Sequence, residues 1–178
     1  MHKLSKKNIK IGILGGTFDP PHIGHLHISK IGIKKLGLTK LIWIITKKNP
    51  LKKKPYLNVK TRTLLSKKII RKERKIVVQN LEGKVKSINT FDLLKYVKSK
   101  NKKAKIYFLI GADNLINFHK WKNWRTIPEL AKLVVFARQN YSAKALNSIA
   151  LKKFEKKDWL YIPGKKINIS SSLIRKFW

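Results

Sequence analysis

The sequence contains no cysteine and only eight acidic residues among its 178 positions. The lack of cysteine excludes a disulfide framework and a thiolate metal site, and it suits a reducing compartment. With so few carboxylates, a catalytic pair of acids is not expected. No apolar run approaches the roughly 20 residues of a membrane span, and the run before Gly15 is too short for a signal peptide. These absences favour a cytoplasmic protein without a membrane segment.

Basic residues dominate the composition, because 43 Lys and Arg residues give a net charge of +35. A basic nucleic-acid-binding domain is one interpretation, since neutralising phosphates releases counterions. The lysines are scattered through every segment instead of forming one stripe. A lysine-rich composition is therefore the favoured explanation, and specific nucleic-acid binding is not expected. In either case the charge would attract anionic small molecules such as nucleotides.

Short apolar segments rich in β-branched and aromatic residues alternate with helix-like segments along the chain. This alternation predicts an α/β fold with a doubly wound, Rossmann-like parallel sheet and helices on both faces, as one domain over residues 1–178. The predicted strands cover residues 8–14, 40–46, 75–80, 104–111, 132–138 and 159–163. The predicted helices cover residues 22–36, 59–72, 90–98, 113–118, 127–131 and 142–154.

Three of the five histidines lie in the segment GGTFDPPHIGHLH, residues 15–27, which follows the first predicted strand. Ligands of parallel sheets bind outside the carboxyl ends of the strands, near the point where the strand order reverses. The glycines match neither GxGxxG nor a P-loop, so a redox dinucleotide fold and a Walker-type ATPase are poorly supported. What remains is a glycine-rich turn that leads to a helix N-terminus, where free backbone N–H groups favour a phosphate.

His22 and His25 are three residues apart, so the first turn of the predicted helix places them on the same side. Both could point at an anion held over the helix end, whereas His27 is predicted to point elsewhere. Thr17 would add a hydroxyl donor. Zinc binding is disfavoured because no third ligand has zinc-like spacing. Among the few carboxylates, those that follow glycine turns, Asp19 and Asp113, are the candidates for a functional role.

Two motifs resemble those of a known family. The segment GGTFDPPHIGHL contains His22-Ile23-Gly24-His25 and resembles the signature of the HxGH nucleotidyltransferases. The segment ISSSLIR, residues 169–175, is similar to the second motif of that class, ISSTxIR. Serines at a helix start can cap it and offer donors, and arginine suits bidentate binding of phosphate. Two helix-start anion sites at opposite ends of the chain are a more specific signal than either one alone.

Residues 110–142, IGADNLINFHKWKNWRTIPELAKLVVFARQNYS, resemble the bacterial nicotinate-nucleotide adenylyltransferases, which join nicotinate mononucleotide to the AMP part of ATP. The resemblance implies that Gly111 and Asp113 hold the adenosine ribose and that Trp121 stacks on the nicotinate ring. A carboxylate that accepts two hydroxyl protons is well suited to a ribose. Trp124 is the next-turn neighbour and is expected in the core.

The resemblance implies a complete set of site residues and ligands. The catalytic residues would be His22, His25 and Arg175. The ATP-binding residues would be Gly15, Gly16, Thr17, Phe18, Gly24, Gly111, Asp113, Ser171 and Ser172. The acceptor-binding residues would be Thr90, Trp121, Lys52 and Arg138. The ligands would be ATP, nicotinate mononucleotide and the Mg²⁺ that accompanies ATP.

The sequence departs from the family pattern in four places. The family's SYTxxTL is INTFDLL here, the loop sequence Asn-x-Pro-His-Lys is replaced by residues 48–52 without a histidine, Ser172 replaces a threonine, and the chain stops at Trp178. These changes concern the acceptor pocket more than the ATP site. Phosphopantetheine adenylyltransferase, with a similar ISSSLxR ending, and the cytidylyltransferases remain alternatives. The motifs leave open the preference for nicotinate or nicotinamide mononucleotide and the oligomeric state.

Overall fold

The computed structural model describes residues 9–49, 51, 53–164 and 169–177. The strands are β1 (Lys10–Gly16), β2 (Lys40–Ile45), β3 (Ile76–Gln79), β4 (Lys105–Gly111), β5 (Lys132–Phe136) and β6 (Trp159–Ile162). The α-helices are α1 (Ile23–Leu36), α2 (Val59–Ile70), α3 (Glu82–Val85), α4 (Thr90–Lys100), α5 (Ala112–Ile116), α6 (Ile127–Leu130), α7 (Ser142–Leu146), α8 (Ile149–Lys153) and α9 (Ser171–Ile174). Single turns of 3-10 helix cover Phe118–Lys120, Trp124–Thr126, Lys156–Asp158 and Arg175–Phe177.

The six strands found in the described residues are parallel and form one sheet in the order β3-β2-β1-β4-β5-β6. The chain moves outward from β1 to β3, returns to the other side of β1 at β4, and then moves outward to β6. The strand order therefore reverses between β1 and β4, which is where open parallel sheets bind their ligands. The predicted doubly wound α/β fold is confirmed.

The strand side chains alternate between two buried clusters, one on each face of the sheet. In β2, Ile42 and Ile44 join the cluster that α4, α5 and α6 cover. Leu41, Trp43 and Ile45 of the same strand join the opposite cluster, which α1 and α2 cover. A strand that is buried on both faces has no polar face to show, and this is why the strands are continuous apolar runs in the sequence.

The first strand is longer than the predicted segment 8–14. It runs to Gly16, and Gly15 and Gly16 pair with Ile44 and Ile45 of β2. The predicted glycine turn is wrong in this respect, because these glycines are the last residues of the strand. The turn itself consists of residues 17–22.

The predicted helix 142–154 is two helices, α7 and α8. The break falls at Ser148, whose buried hydroxyl accepts the backbone N–H of Leu151 and so begins a new helix. The short helix α3 has no counterpart among the predicted elements. None of the helices in the described part of the chain has the length and apolar character needed to cross a membrane.

Candidate active site

A cleft of about 810 Å³ opens at the carboxyl ends of β1 and β4, where the strand order reverses. The structure places nearly all of the predicted site residues along it. Those lining it are Gly15, Gly16, Thr17, Phe18, His22, Gly24, His25, Thr90, Gly111, Asp113, Trp121, Arg138, Ser171, Ser172 and Arg175. The predicted acceptor residue Lys52 lies outside the described residues. A cavity of this size is large enough for a nucleotide-sized ligand.

Two histidines cap the helix that begins at the cleft. His22 is the N-cap of α1, and its Nδ1 accepts the backbone N–H of Gly24 at 3.1 Å. The Nδ1 of His25 accepts the backbone N–H of His22 at 3.2 Å. Both Nδ1 atoms are acceptors, so each neutral ring carries its proton on Nε2. The local helix geometry thus fixes one tautomer for both rings and leaves each with one N–H to donate.

The environment keeps both rings uncharged at neutral pH. Burial and the guanidinium of Arg138 lower the pKa of His22 to about 4. Burial, the neighbouring His22 and Arg138 lower the pKa of His25 well below its usual value. The two ring centroids are only 3.8 Å apart. Two charged imidazoles at this separation would repel one another, which agrees with the neutral form of the pair.

The His25 ring packs against two aromatic side chains, Phe18 and Trp43. Phe18, buried and with a φ of 48°, lies 4.6 Å from the His25 ring and 4.9 Å from the Trp43 ring, centroid to centroid. The indole N–H of Trp43 donates to Ser29 Oγ, and this hydroxyl donates to the backbone oxygen of His25. Gly24 is required in this turn, because a Cβ there would lie 2.9 Å from the His22 ring.

A buried arginine organises the loops beside the glycines. Arg62 of α2 donates to the backbone oxygens of Leu57, Thr17, Thr46 and Lys47. It is 1% exposed, so its cost of burial is offset by these hydrogen bonds. The turn after β1, the loop after β2 and the start of α2 are therefore joined at one side chain.

Asp19, one of the two candidate carboxylates, belongs to the turn of residues 17–22 and does not line the cleft in the part of the chain that the structure describes. Its oxygens accept the backbone N–H groups of Tyr56 and Leu57, each at 2.9 Å. Arg175 lies beside it, with Nη1 3.6 Å from Oδ2. Asp19 thus has a visible structural role, which is to hold the 56–57 segment and the second motif against the turn.

The second motif packs directly against the first. Ser170 caps α9 by accepting the N–H of Leu173, whereas Ser171 Oγ donates to the backbone oxygen of Pro20 at 2.8 Å. Arg175 donates to the backbone oxygen of Asp19 and, at 3.2 Å, to Ser172 Oγ. The two motifs that are farthest apart in the sequence therefore form one wall of the cleft.

Asp113 also lines the cleft and is paired with Arg138. The Arg138 Nη1 atom is 2.7 Å from Asp113 Oδ2, and the buried Asp113 Oδ1 has no hydrogen-bond partner among the residues that the structure describes. A Cβ on Gly111 would lie 2.6 Å from Oδ1, so glycine gives this oxygen its space. An orphaned buried carboxylate oxygen on a cleft wall has unused capacity to accept a ligand hydroxyl. Arg138, predicted at the acceptor, contacts the predicted ribose carboxylate.

Trp121 and Trp124 have different surroundings. Trp121 lines the cleft and packs its half-buried ring against Phe118, with ring centroids 4.9 Å apart. Trp124 packs against Phe154 with ring centroids 5.6 Å apart and is absent from the cleft wall. Thr90 begins α4 and lines the cleft on the same side as Trp121's loop.

Sequence reasoning missed several residues of the site. His27, predicted to point elsewhere, lines the cleft, because the cleft runs along α1 beyond its first turn and also reaches Ile28 and Ile31. Arg62 was missed although a signal exists, since Arg62, Ser66 and Ile70 follow one another at helical spacing on the buried face of α2. A charged residue at such a position indicates a buried polar network.

Comparisons with known proteins identify the family. The Cytidylyltransferase-like family model matches residues 13–177. A protein of Pelagibacter ubique named "Probable nicotinate-nucleotide adenylyltransferase" is 50% identical over 175 residues, which is 98% of this chain and 97% of the relative. The chain belongs to the nicotinate-nucleotide adenylyltransferase family. A protein of Cereibacter sphaeroides with the same printed name is 34% identical over 144 residues, which is 81% of this chain and 76% of that protein.

Two solved structures of one enzyme share the fold of this chain. The nicotinic acid mononucleotide adenylyltransferase of Plasmodium falciparum complexed with NaAD matches with a TM-score of 0.78 and 24% identity, over 96% of this chain and 84% of that chain. The same enzyme complexed with APC matches with a TM-score of 0.77 and 23% identity, over the same shares of the two chains. At these identities the likeness concerns the fold.

Proposed function

We propose that this protein transfers the adenylyl group of ATP to nicotinate mononucleotide, giving deamido-NAD and pyrophosphate. The family membership supports the reaction, and the cleft at the β1/β4 switch point offers a place for it. The carrying observation is the capping pair His22 and His25, which fixes two neutral Nε2–H donors at the N-terminus of α1.

The reaction would be a direct displacement at phosphorus. A phosphate oxygen of nicotinate mononucleotide attacks the α-phosphorus of ATP and forms a new P–O bond. The bond from the α-phosphorus to the oxygen that bridges to the β-phosphorus breaks, and pyrophosphate leaves with the electron pair. The attacking phosphate is already an anion, so the reaction requires no general base and no covalent intermediate. Catalysis would then rest on positioning and on stabilisation of charge.

His22 and His25 would donate to the phosphates from Nε2, with His25 the residue that stabilises charge at the α-phosphate. Because the aromatic cluster and the capping bonds already fix the rings, little reorganisation would accompany the reaction. Backbone N–H groups at the start of α1 would add to the same anion site. The Gly15-Gly16 end of β1 would let the triphosphate approach the backbone closely.

The wall formed by the second motif would hold the rest of the triphosphate. Arg175 already lies in the cleft with Ser172 as a neighbour, and Thr17 lines the cleft beside them. Ser171 would help to position α9, because its hydroxyl donates to the backbone oxygen of Pro20. These groups would align the leaving pyrophosphate with the attacking phosphate.

Mg²⁺ would enter with ATP instead of occupying a site of its own. Among the described residues, no group of three His, Cys, Asp or Glu residues could hold a metal, and Asp113 is the one acid on the cleft wall. This donor set fits a cation that keeps its water ligands and binds mainly to substrate phosphates. When bound, Mg²⁺ would neutralise charge on the β- and γ-phosphates.

The nucleoside parts would bind on the other walls. The Oδ1 atom of Asp113, which has no partner among the described residues, would accept from the adenosine ribose, and Arg138 would hold Oδ2 and so orient the carboxylate. Trp121 would stack on the pyridine ring of the acceptor, and Thr90 would contact the acceptor at the N-terminus of α4. Lys52 remains a proposed contact of the acceptor phosphate.

An acceptor panel tests this function. Purified protein is incubated with Mg²⁺-ATP and one of three acceptors: nicotinate mononucleotide, nicotinamide mononucleotide or phosphopantetheine. Products and pyrophosphate are then quantified. We expect deamido-NAD from the first acceptor, a lower rate with the amide and no turnover of phosphopantetheine. Turnover of phosphopantetheine in place of the pyridine nucleotides would contradict the proposal.

A further inference from the structure

Two segments that are distant in the sequence build the acceptor end of the cleft. One is the start of α4, where Asn89 and Thr90 line the cleft. The other is the loop after the 3-10 turn Phe118–Lys120, where Trp121 and Lys122 line it. The affinity for an acceptor that contacts both segments depends on their relative position. A contact that joins the two segments would therefore influence this affinity.

An ion pair joins these two segments. Lys122 Nζ lies 3.0 Å from Asp92 Oδ2 and 3.4 Å from Oδ1. Asp92 belongs to the first turn of α4, two residues after Thr90, and Lys122 directly follows Trp121. The pair therefore links the two predicted acceptor-binding residues through their immediate neighbours.

The carboxylate of this pair is held in place from its other side. Ser87 Oγ donates to Asp92 Oδ2 at 2.6 Å, and the backbone N–H and side-chain amide of Asn89 donate to the same hydroxyl oxygen at 3.1 and 3.2 Å. The loop before α4, its first turn and the Trp121 loop are thus connected in one hydrogen-bonded chain. Asp92 also lies at the positive end of the helix, which favours its charged form.

We propose that the Asp92–Lys122 ion pair is a clasp that positions Thr90 and Trp121 and so determines acceptor affinity. This inference rests on the proposed function and assigns positioning roles to two residues outside the predicted site. Lys122 acts through Asp92, and not by binding the acceptor itself. The side chains are 49% and 23% exposed, so salt weakens the clasp and its loss leaves the fold intact.

A double-mutant cycle tests the clasp. The variants are Asp92→Asn, Lys122→Met and the double variant, each assayed for the KM of nicotinate mononucleotide, the KM of ATP and the melting temperature. The matched control is Lys30→Met, which removes the ion pair between Lys30 of α1 and Glu73, three residues after the end of α2. This pair has the same length, 3.0 Å, and similar side-chain exposures of 59% and 23%. This control pair has no residue on the cleft wall in the described part of the chain.

We expect each single variant to raise the acceptor KM by about two- to fivefold, the range for one exposed ion pair. The double variant should be no worse than either single one, because both remove the same interaction. The ATP KM and the melting temperature should stay near the wild-type values, and Lys30→Met should change neither KM. Salt should raise the wild-type acceptor KM toward that of the variants.

Two results would overturn the clasp. An effect of Lys122→Met alone, with Asp92→Asn unchanged, would mean that the lysine binds the acceptor directly. Unchanged acceptor KM values in both single variants would mean that the ion pair does not position the site. Absence of adenylyl transfer in the wild-type protein is a separate failure, since it removes the proposed function on which the clasp rests.

Discussion

The imidazole rings of His22 and His25 lie 3.8 Å apart, and the first turn of one helix holds each of them by a backbone N–H bonded to Nδ1. The same bonds cap the helix and select the tautomer. Capping and the proposed anion binding thus fall to the same side chains, and experiments can separate them because capping uses Nδ1 whereas the proposed anion contact uses Nε2.

Replacement of His22 by asparagine separates capping from catalysis. Asparagine is a good N-cap, so the His22→Asn variant should keep its melting temperature within a few degrees of wild type. It lacks the Nε2–H donor, and we expect a loss of at least tenfold in kcat/KM. Thermal unfolding and steady-state rates on the same preparation provide the measurement. A variant that retains wild-type kcat/KM would restrict His22 to capping.

His25→Ala should reduce turnover more than ATP binding. The proposed contact strengthens as charge develops at the α-phosphate, so its loss lowers kcat, by about 10²-fold or more, and changes the Kd of ATP only several-fold. Single-turnover rates and ATP titration measure the two quantities. Near wild-type kcat would remove His25 from the catalytic residues.

The lowered pKa values predict acid destabilisation. The folded protein binds the protons of His22 and His25 less readily than the unfolded chain does, so their contribution is complete above about pH 6.5 and is lost as the pH falls toward 4. The free energy of unfolding from urea titrations should therefore fall between pH 6.5 and 4. The His22→Asn variant should lose part of this slope. Imidazole NMR signals from the two residues should not titrate near pH 6.5.

Asp113→Asn should abolish discrimination between ATP and 2′-deoxy-ATP. The carboxylate is proposed to accept from the ribose hydroxyls through its buried Oδ1, and an amide accepts less well and also loses the Arg138 pair. The measurement is the ratio of KM values for the two nucleotides in wild type and variant. Glu155→Gln, which removes the exposed partner of Lys157, is the control. Equal discrimination by wild type and Asp113→Asn would leave Asp113 a structural role only.

Replacement of Trp121 tests the proposed acceptor contact, and replacement of Trp124 is the matched control. A stacking contact contributes about 1 kcal/mol, so Trp121→Ala should raise the acceptor KM several-fold and leave the ATP KM nearly unchanged. Trp124→Ala should lower the melting temperature with no selective effect on the acceptor, because its ring packs against Phe154. Both KM values and the melting temperature are measured for each variant. A Trp121→Ala variant that only lowers stability would assign Trp121 to the core.

The net charge of +35 predicts weak, salt-sensitive nucleic-acid binding without a role in the reaction. Duplex DNA and RNA should bind without sequence preference and dissociate as salt rises. Adenylyl transfer should persist at salt that abolishes this binding, because the site uses fixed donors at short range. Tight binding at physiological salt, with no transferase activity, would favour the alternative of a nucleic-acid-binding domain.

Local sequence patterns were enough to predict the layered fold and the relative placement of the two capping histidines. Strands buried on both faces must be continuous apolar runs, and the helices between them must connect parallel strands, so the doubly wound sheet follows from local patterns. The spacing of His22 and His25 likewise fixed their relation within one helical turn, since neighbours at three residues share a helix face. Predictions of this kind need only the local geometry of strands and helices.

The side-chain contacts that connect these elements became apparent only from the three-dimensional structure. Arg62 bonds to four backbone oxygens, Arg138 contacts Asp113 across the ends of β4 and β5, and Lys122 joins Asp92. Each of these contacts joins segments that are separated along the chain, so no local periodicity encodes them. They depend on the order in which the strands pair, and that order is set by how the whole sheet and its helices pack.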